Sequence, residues 1–346
     1  MRIAIDTMGG DHGPGVVVQG ALRALPELGR DAELLLVGDE AQLRPALGAQ
    51  PQPNTRIVHA PDVIGMHEPP AQAVRRKPGS SIAVAIRLVQ EGGADAVLSP
   101  GSTGAVVAGA LFGLGRIRRV LRPAIATLFP TEGRDCVVLD VGANSDCKPA
   151  HLLQFGILGA LYANIRLGCE RPRVGLLNIG EEESKGNELA QAAWPLLQHS
   201  GLHFVGNVEG RDLLAGRADV VVCDGFVGNI VLKFAESMLG FTRGLLRAEI
   251  AGSRRLQLGA ALLGPAFAAL KKRLDYQEFG GAPLLGVDGV VVIAHGKSSV
   301  RAIESAVKSC AVLVENRYTE RVSERLQEIG GEILERNEQR TDLGNG

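Results

Sequence analysis

A chain of 346 residues with a formal net charge of −1 can bury a large core and carries no global field that would draw it to nucleic acid. Glycine fills 45 positions, about 13% where ~7% is usual, with no collagen-like period, so many tight turns are expected. Five cysteines without a C-x-x-C pair fit a reduced cytoplasmic interior, and the apolar run at Ile3-Ala4-Ile5 is too short for a signal peptide, while Leu256 to Leu270, broken by Gln257 and Pro265, falls short of the ~20 apolar residues of a spanning helix.

In chain order, Ile3 to Ile5 reads as a short buried strand, turned by Gly9, Gly10, Gly13 and Pro14 into a helix from Gly15 to Leu25. Asp11 and His12 fall beside that helix N-terminus. Leu34 to Val37 is the next strand and Gln50 to Asn54 a loop. The stretch Asp62 to Ser80, rich in proline and charge and ending near Arg75-Arg76-Lys77, reads as a long surface excursion, a kind that is usually functional or mobile. Ser81 to Gln90 is helical, Ala96 to Leu98 a strand, and Thr103 to Leu114 a helix followed by the basic run Arg116, Arg118, Arg119 and Arg122. Ile125 to Leu128 and Val137 to Val141 are strands, and Pro149 to Leu167 is a helix with proline near its start. Val174 to Ile179 leads through a polar turn to a helix over Asn187 to Gln198, and Phe204-Val205 and Val220 to Cys223 are short strands.

From Phe226 to Leu274 the pattern changes to two long helical stretches, broken near Gly252-Ser253 and at Gly264-Pro265. From Phe241 to Leu274, seven Lys/Arg (Arg243, Arg247, Arg254, Arg255, Lys271, Lys272, Arg273) stand against Glu249 alone, among apolar residues that include Leu258, Leu262, Leu263 and Phe267. That is the composition of an interfacial amphipathic helix, and equally of a dimer-interface hairpin with a basic rim. Val290 to Ala294 restores a strand, and one long helix from Ser299 closes the chain, with Arg317, Arg321 and Arg325 each followed three residues on by glutamate, and an apolar stripe at Tyr318, Val322, Leu326, Ile329 and Ile333. Alternating strands and helices predict an α/β fold with a mostly parallel sheet flanked by helices: one unit over 1–340, as a single body or two interlocked lobes, with a helical hairpin over 230–275 and a disordered tail over 341–346.

Six apolar strands run into glycine-bearing polar turns, and together they predict one crevice at the carboxyl ends of the strands. The most charged of them is Asn178-Ile179-Gly180-Glu181-Glu182-Glu183-Ser184-Lys185-Gly186-Asn187; the others begin at Asp6, Ser99, Asp140, Asp224 and His295. Familiar motifs fail. No G-x-G-x-x-G follows the first strand, Val291 stands where a P-loop ending at Lys297-Ser298 needs glycine, Ala71 replaces the second histidine of a zinc helix begun by His67-Glu68, and no G-x-S-x-G elbow exists. What remains are parts of an anion cradle: hydroxyls of Ser99, Ser102 and Thr103, N–H groups from Gly101 to Gly104, and the Lys185 ammonium. Helix capping explains Ser102 and Thr103 as well, a surface ion pair explains Lys185, and αL turns explain Asn144, Asn187 and Asn229.

The motifs Ile5-Asp6-Thr7-Met8-Gly9-Gly10-Asp11-His12-Gly13-Pro14, Ser99 to Gly104, Leu139 to Asn144, Leu177 to Glu182 with Lys185-Gly186, and Cys223 to Asn229 together resemble the bacterial acyl-acyl carrier protein:phosphate acyltransferase family, in order and over nearly the whole chain. Ser102 stands where that family usually has asparagine, and Thr7 where it often has alanine. The resemblance implies transfer of a fatty acyl group from acyl carrier protein to inorganic phosphate, giving an acyl phosphate for phospholipid synthesis. It implies a fold like that of isocitrate and isopropylmalate dehydrogenases and phosphotransacetylase, a homodimer, peripheral attachment to the inner face of the cell membrane, and a partner in the membrane glycerol-3-phosphate acyltransferase. No metal or nucleotide cofactor is expected. Under it, Lys185, His295, Asn229 and Asp224 become candidates for the chemistry. Asp6, Gly9, Gly10, Asp11, Ser99, Gly101, Ser102, Thr103, Gly104, Asn144, Gly180, Gly186, Asn187 and Ser298 become candidates for holding phosphate or substrate. Acyl carrier protein is acidic, so a basic patch at Arg75, Arg76 and Lys77 or at Arg116, Arg118 and Arg119 is expected to receive it. A phosphotransacetylase using coenzyme A, a metal- and NAD-dependent dehydrogenase on the same fold, and a non-enzymatic membrane scaffold remain the alternatives.

Overall fold

The computed structural model describes residues 1–48, 53–274 and 280–329. Its strands are β1 (Arg2–Asp6), β2 (Glu33–Gly38), β3 (Thr55–His59), β4 (Ala96–Ser99), β5 (Ala124–Phe129), β6 (Cys136–Leu139), β7 (Arg173–Leu177), β8 (His203–Val208), β9 (Val220–Val222), β10 (Ala282–Leu285) and β11 (Val290–Ile293). They join in one 11-stranded sheet, ordered β3-β2-β1-β4-β11-β10-β5-β6-β9-β7-β8. Pairing is parallel except at the centre, where β10 runs antiparallel to both β11 and β5, and β5 antiparallel to β6. The strands β6, β9, β7 and β8 therefore run opposite to β1, β2, β4 and β11. The expected α/β class with a mostly parallel sheet is borne out.

The strands are near-continuous apolar runs because helices cover both faces of the sheet, and successive residues feed two cores. Ile3, Ile5, Leu34, Leu36 and Leu98 pack into one. Ala4, Leu35, Val37 and Val97 pack into the other. The covering helices are α1 (Pro14–Ala24), α2 (Glu40–Leu47), α3 (Pro70–Arg76), α4 (Ser81–Gln90), α5 (Thr103–Gly113), α6 (Pro149–Leu167), α7 (Glu188–Gln198), the one-turn α8 (Asp212–Ala215) and α12 (Val300–Glu315), with a last helix over 318–329. The segments α9 (Gly225–Ala251), α10 (Arg254–Leu262) and α11 (Gly264–Leu274) break where the sequence places the breaks.

Several elements differ from the sequence reading for local reasons. α2 starts where the Asp39 carboxylate accepts the Ala41 N–H at 3.1 Å, a cap that Pro45 later in the helix obscures. β3 is a half-exposed edge strand without a strong apolar signal. β10 contains Pro283, which argues against a central strand, yet Pro283 pairs with Val292. The excursion over 62–80 folds part of itself into α3, with Pro70 in the first turn. The closing helix breaks at Asn316-Arg317, where Arg317 takes a φ of 50°. Beyond the break, Arg317 meets Glu320 at 3.8 Å and Arg325 meets Glu328 at 2.9 Å, whereas Arg321 reaches the Asn164 side-chain oxygen at 2.8 Å in place of Glu324. Ile333 and the tail 341–346 lie outside the described residues.

Candidate active site

Two buried aspartates organise the strand-end turns, one in each half of the sheet. At the end of β1, Asp6 accepts the Met8 and Gly9 N–H groups on Oδ1, both at 3.1 Å, and the Ser99 hydroxyl on Oδ2 at 2.6 Å. The Ser99 oxygen in turn accepts the Gly101 N–H at 3.1 Å, and the Asp11 N–H donates to the Gly296 carbonyl at 2.7 Å. A Cβ on Gly9 would stand 2.5 Å from the Gly101 nitrogen, so only glycine lets these turns close on each other. The turns after β1, β4 and β11 thus form one welded edge. Burial pushes the Asp6 pKa up, against the pull of its hydrogen bonds. Both its oxygens are engaged, so Asp6 and Ser99, expected beside phosphate, hold the turns together in this structure.

In the opposite half, at the end of β6, Asp140 accepts the N–H groups of Ile125, Gly142 and Ala143 on Oδ1 at 3.0, 3.1 and 2.9 Å. Its Oδ2 takes the Asn144 backbone N–H at 2.7 Å and side-chain Nδ2 at 2.8 Å. Asn144 also donates to the Pro123 carbonyl at 2.7 Å, which commits the amide hydrogens expected to face substrate. A Cβ on Gly228 would fall 1.9 Å from the Asp140 carbonyl oxygen, so α9 can enter this close only at a glycine. Asp224 starts α9 as its cap, accepting the Phe226 and Val227 N–H groups at 3.0 and 2.9 Å. That cap explains the aspartate without chemistry.

Between the two edges lies a cavity of about 1310 Å³, over β5 and between α5 and α9. Its walls are apolar side chains of both helices, among them Val107, Leu111, Phe112, Leu232, Met238 and Leu239, with Ile125, Thr127 and Phe129 of β5. A helix as uniformly apolar as α5 is usually buried all round; here one side packs on α4 and the other faces the cavity. Polar groups reach it from both edges: Thr103, Gly104 and His295 from one, Gly142, Ala143 and Asn229 from the other. Ser102 precedes α5 without a side-chain cap bond, so the first N–H groups of that helix are available to a ligand. The His295 Nδ1 accepts the Lys297 N–H at 3.1 Å. The Asn229 amide lies beside Gly142 and has no hydrogen-bond partner among the described residues.

The turn after β7 does not join them. β9 stands between β7 and β6, which carries Gly180, Lys185, Gly186 and Asn187 away from β5, and none of these lines this cavity. Lys185 is half exposed, 3.9 Å from Glu182, and its carbonyl accepts the Asn178 amide at 3.0 Å. Asn187 caps α7 through the Ala190 N–H at 2.9 Å. Ser298 is buried and donates its N–H to the His295 carbonyl at 2.9 Å, while Gly10 and Asp11 serve the contact with Gly296. Burial pushes the Cys136 thiol up to about 12 and the Cys147 thiol up to about 11, and raises Cys223 and Cys310 as well, so these four are poor nucleophiles at neutral pH. Among the described residues, no three His, Cys, Asp or Glu side chains gather as a metal-holding group.

A second cavity, of about 440 Å³, adjoins the first and shares Val107, Leu111 and Ala143 with it. Arg116, Arg122, Asn144 and His151 supply its polar lining. Neither Arg122 nor His151 stands out in the sequence, the first lost in a basic run and the second one turn into a helix.

Residues 1–321 match the family model described as "Fatty acid synthesis protein". The chain is 51% identical over 341 residues to the phosphate acyltransferase of Pelotomaculum thermopropionicum, covering 97% of this chain and 99% of that protein. It is 51% identical over 329 residues to the phosphate acyltransferase of Heliobacterium modesticaldum, covering 94% of this chain and 98% of that one. Among solved structures, a phosphotransacetylase from Streptococcus pyogenes superposes with a TM-score of 0.63 at 18% identity, over 91% of this chain and 94% of that one. The EutD phosphotransacetylase from Staphylococcus aureus gives 0.60 at 17% identity over the same shares, a likeness of fold alone.

Proposed function

Because the chain belongs to the fatty acid synthesis protein family, whose named relatives are phosphate acyltransferases, and is itself an acyltransferase, we propose that it moves a fatty acyl group from acyl carrier protein to inorganic phosphate and releases an acyl phosphate for phospholipid synthesis. The observation that carries this reading is the apolar cavity of about 1310 Å³ with polar groups at both edges. Its volume exceeds the ~300–1,000 Å³ usual for small-molecule sites, ample for a long acyl chain. A phosphate oxygen attacks the thioester carbonyl carbon, the C–O bond forms as the C–S bond breaks, and the departing sulfur takes a proton. Positioning and charge stabilisation suffice for such a step. The Asn229 amide and the free N–H groups of α5 would stabilise the oxyanion and His295 would assist the leaving thiol, while Lys185, on the turn beyond β9, would have to reach the phosphate from outside this cavity.

The donor is tested by comparing palmitoyl acyl carrier protein with palmitoyl and acetyl coenzyme A. A kcat/KM at least tenfold higher for the carrier thioester is expected. Equal or better use of acetyl coenzyme A would favour a phosphotransacetylase, and NAD reduction with magnesium a dehydrogenase.

α3 is proposed to receive the carrier. The Arg75 guanidinium stacks 4.7 Å from the Phe112 ring, which lines the apolar cavity, and Arg76 is exposed beside it. Lys77 is committed to Glu68 at 2.7 Å, and Arg119 to carbonyls of the last helix at 3.3 and 3.4 Å. Reversing Arg75 and Arg76 to glutamate should raise the KM for the carrier about tenfold, leave that for phosphate, and flatten the salt dependence. An unchanged KM would clear this patch.

The hairpin is proposed to meet the membrane and the second subunit of a homodimer. Leu262 is 76% exposed, and Leu258, Leu263 and Leu270 are also exposed. On α9 an outward stripe of Phe226, Ile230, Phe234, Phe241 and Leu245 is uncovered. Among the described residues no helix is long and apolar enough to cross a membrane, so attachment would be at the interface, where it would also meet a membrane glycerol-3-phosphate acyltransferase. Leu262→Glu with Leu263→Glu should abolish flotation with anionic liposomes while the far-ultraviolet circular dichroism stays as in wild type. Wild-type protein that never floats would remove the idea.

A further inference from the structure

The smaller cavity collects positive charge that nothing nearby neutralises. Arg116 and Arg122 line it, and Lys148 stands at the adjacent start of α6. Among the described residues none of these three cations has a carboxylate within ion-pair reach; the Arg116 guanidinium donates to the Leu121 carbonyl instead. The adjacent acid is Asp140, and its two oxygens are already occupied by five donors from the protein. All three basic residues are exposed, so water screens their mutual repulsion, and together they form a positive rim that attracts an anion into the cavity.

His151 adds direction to that charge. It is only 8% exposed, and its Nδ1 accepts the Lys148 N–H at 3.0 Å, so the neutral ring carries its proton on Nε2. No acceptor for Nε2 exists among the described residues, and the ring lines the cavity. Burial, Arg122 and Lys148 all hold its pKa below the usual histidine value, which favours the neutral ring. An N–H donor without an acceptor on a nine-tenths buried ring, facing a cavity lined by two guanidinium groups that have no carboxylate partner among the described residues, marks a place for an oxyanion.

From this geometry we infer that the cavity formed by Arg116, Arg122 and His151 binds a phosphate group, beside the wall of Val107, Leu111 and Ala143 that it shares with the apolar cavity. The inference rests on the proposed reaction for its ligand, and that reaction brings two sources of phosphate: the inorganic phosphate that attacks, and the phosphodiester of the pantetheine arm that carries the thioester. Both present the same tetrahedral oxyanion.

Binding is measured first without any acyl donor, by calorimetric titration of the full-length protein with inorganic phosphate and separately with pantetheine 4′-phosphate. Arg122→Gln and His151→Gln should each weaken at least one of the two about tenfold, and Arg122→Lys should recover part of the loss. Steady-state kinetics then separate the sources. A raised KM for phosphate with an unchanged KM for the thioester assigns the cavity to the nucleophile, and the converse assigns it to the arm. Both support the site. Variants that bind both probes as wild type does, with both KM values unchanged, overturn it. Since the titrations need no turnover, a wild-type protein that makes no acyl phosphate would refute the proposed reaction while leaving the binding result to stand by itself.

Discussion

Asp140→Ala is expected to remove most of the stability of the protein. Five N–H donors converge on this one buried carboxylate and would lose their acceptor together. Hydrogen bonds to a charged group contribute ~1.5–3 kcal/mol each, and buried donors left unpaired cost ~1–3 kcal/mol. These contributions are not additive, but a loss on the order of 5 kcal/mol is expected, against a total stability of ~5–15 kcal/mol for a folded protein. The donors tie the start of β5 to the turn that admits α9, so the damage would spread across the junction between the two halves of the sheet. Asp224→Ala is the control. It removes a half-buried helix cap, for which ~1 kcal/mol is typical. Urea unfolding followed by circular dichroism decides: midpoints that fall equally for the two variants would show that Asp140 is no more than an ordinary turn residue.

Asn229→Ala should do the reverse, sparing the fold and removing activity. Since its side-chain amide has no partner among the described residues, truncation breaks no internal hydrogen bond, and the urea midpoint should stay near that of wild type. Turnover should drop ~100- to 1,000-fold, the usual loss when one donor to a developing oxyanion is removed. Lys185→Ala makes the comparison informative. If its ammonium reaches phosphate during the reaction, it should lose turnover by about the same factor. Turnover at the wild-type level would instead leave Lys185 as the surface partner of Glu182, 3.9 Å away. Asn229→Ala at wild-type activity would move the oxyanion donor elsewhere, to the N–H groups of α5.

Much of the fold was legible because buried parallel strands and amphipathic helices advertise themselves. The runs at Ile3-Ala4-Ile5 and Leu34-Leu35-Leu36-Val37 feed a core on each face, which only strands covered on both sides can do. Strand direction was not legible. Nothing in the residues of β5 or β10 says that they run antiparallel, and that reversal turns the expected single crevice into two edges joined across a sheet face. For the same reason the glycine turns at Asp6, Ser99, Asp140, Asp224 and His295 were found, while their partition was missed. The strand order likewise stays hidden in the sequence, and it sets the Lys185 turn beyond β9. Asp224 read as a candidate for chemistry and Asp6 for binding, whereas Asp224 caps its own helix through Phe226 and Val227, and Asp6 and Asp140 also hold partners distant in the chain, the Ser99 hydroxyl and the Ile125 N–H. The basic cavity escaped because Arg122 and His151 lie 29 positions apart and meet only through the fold.

The most direct measurement mixes the purified protein with palmitoyl acyl carrier protein and inorganic phosphate, adds hydroxylamine, and follows both free carrier and the trapped hydroxamate. Hydroxamate formed one for one with free carrier, dependent on phosphate and lost with Asn229→Ala, is the expected result. Free carrier with no phosphate-dependent hydroxamate would make the protein a thioesterase and contradict acyl transfer to phosphate.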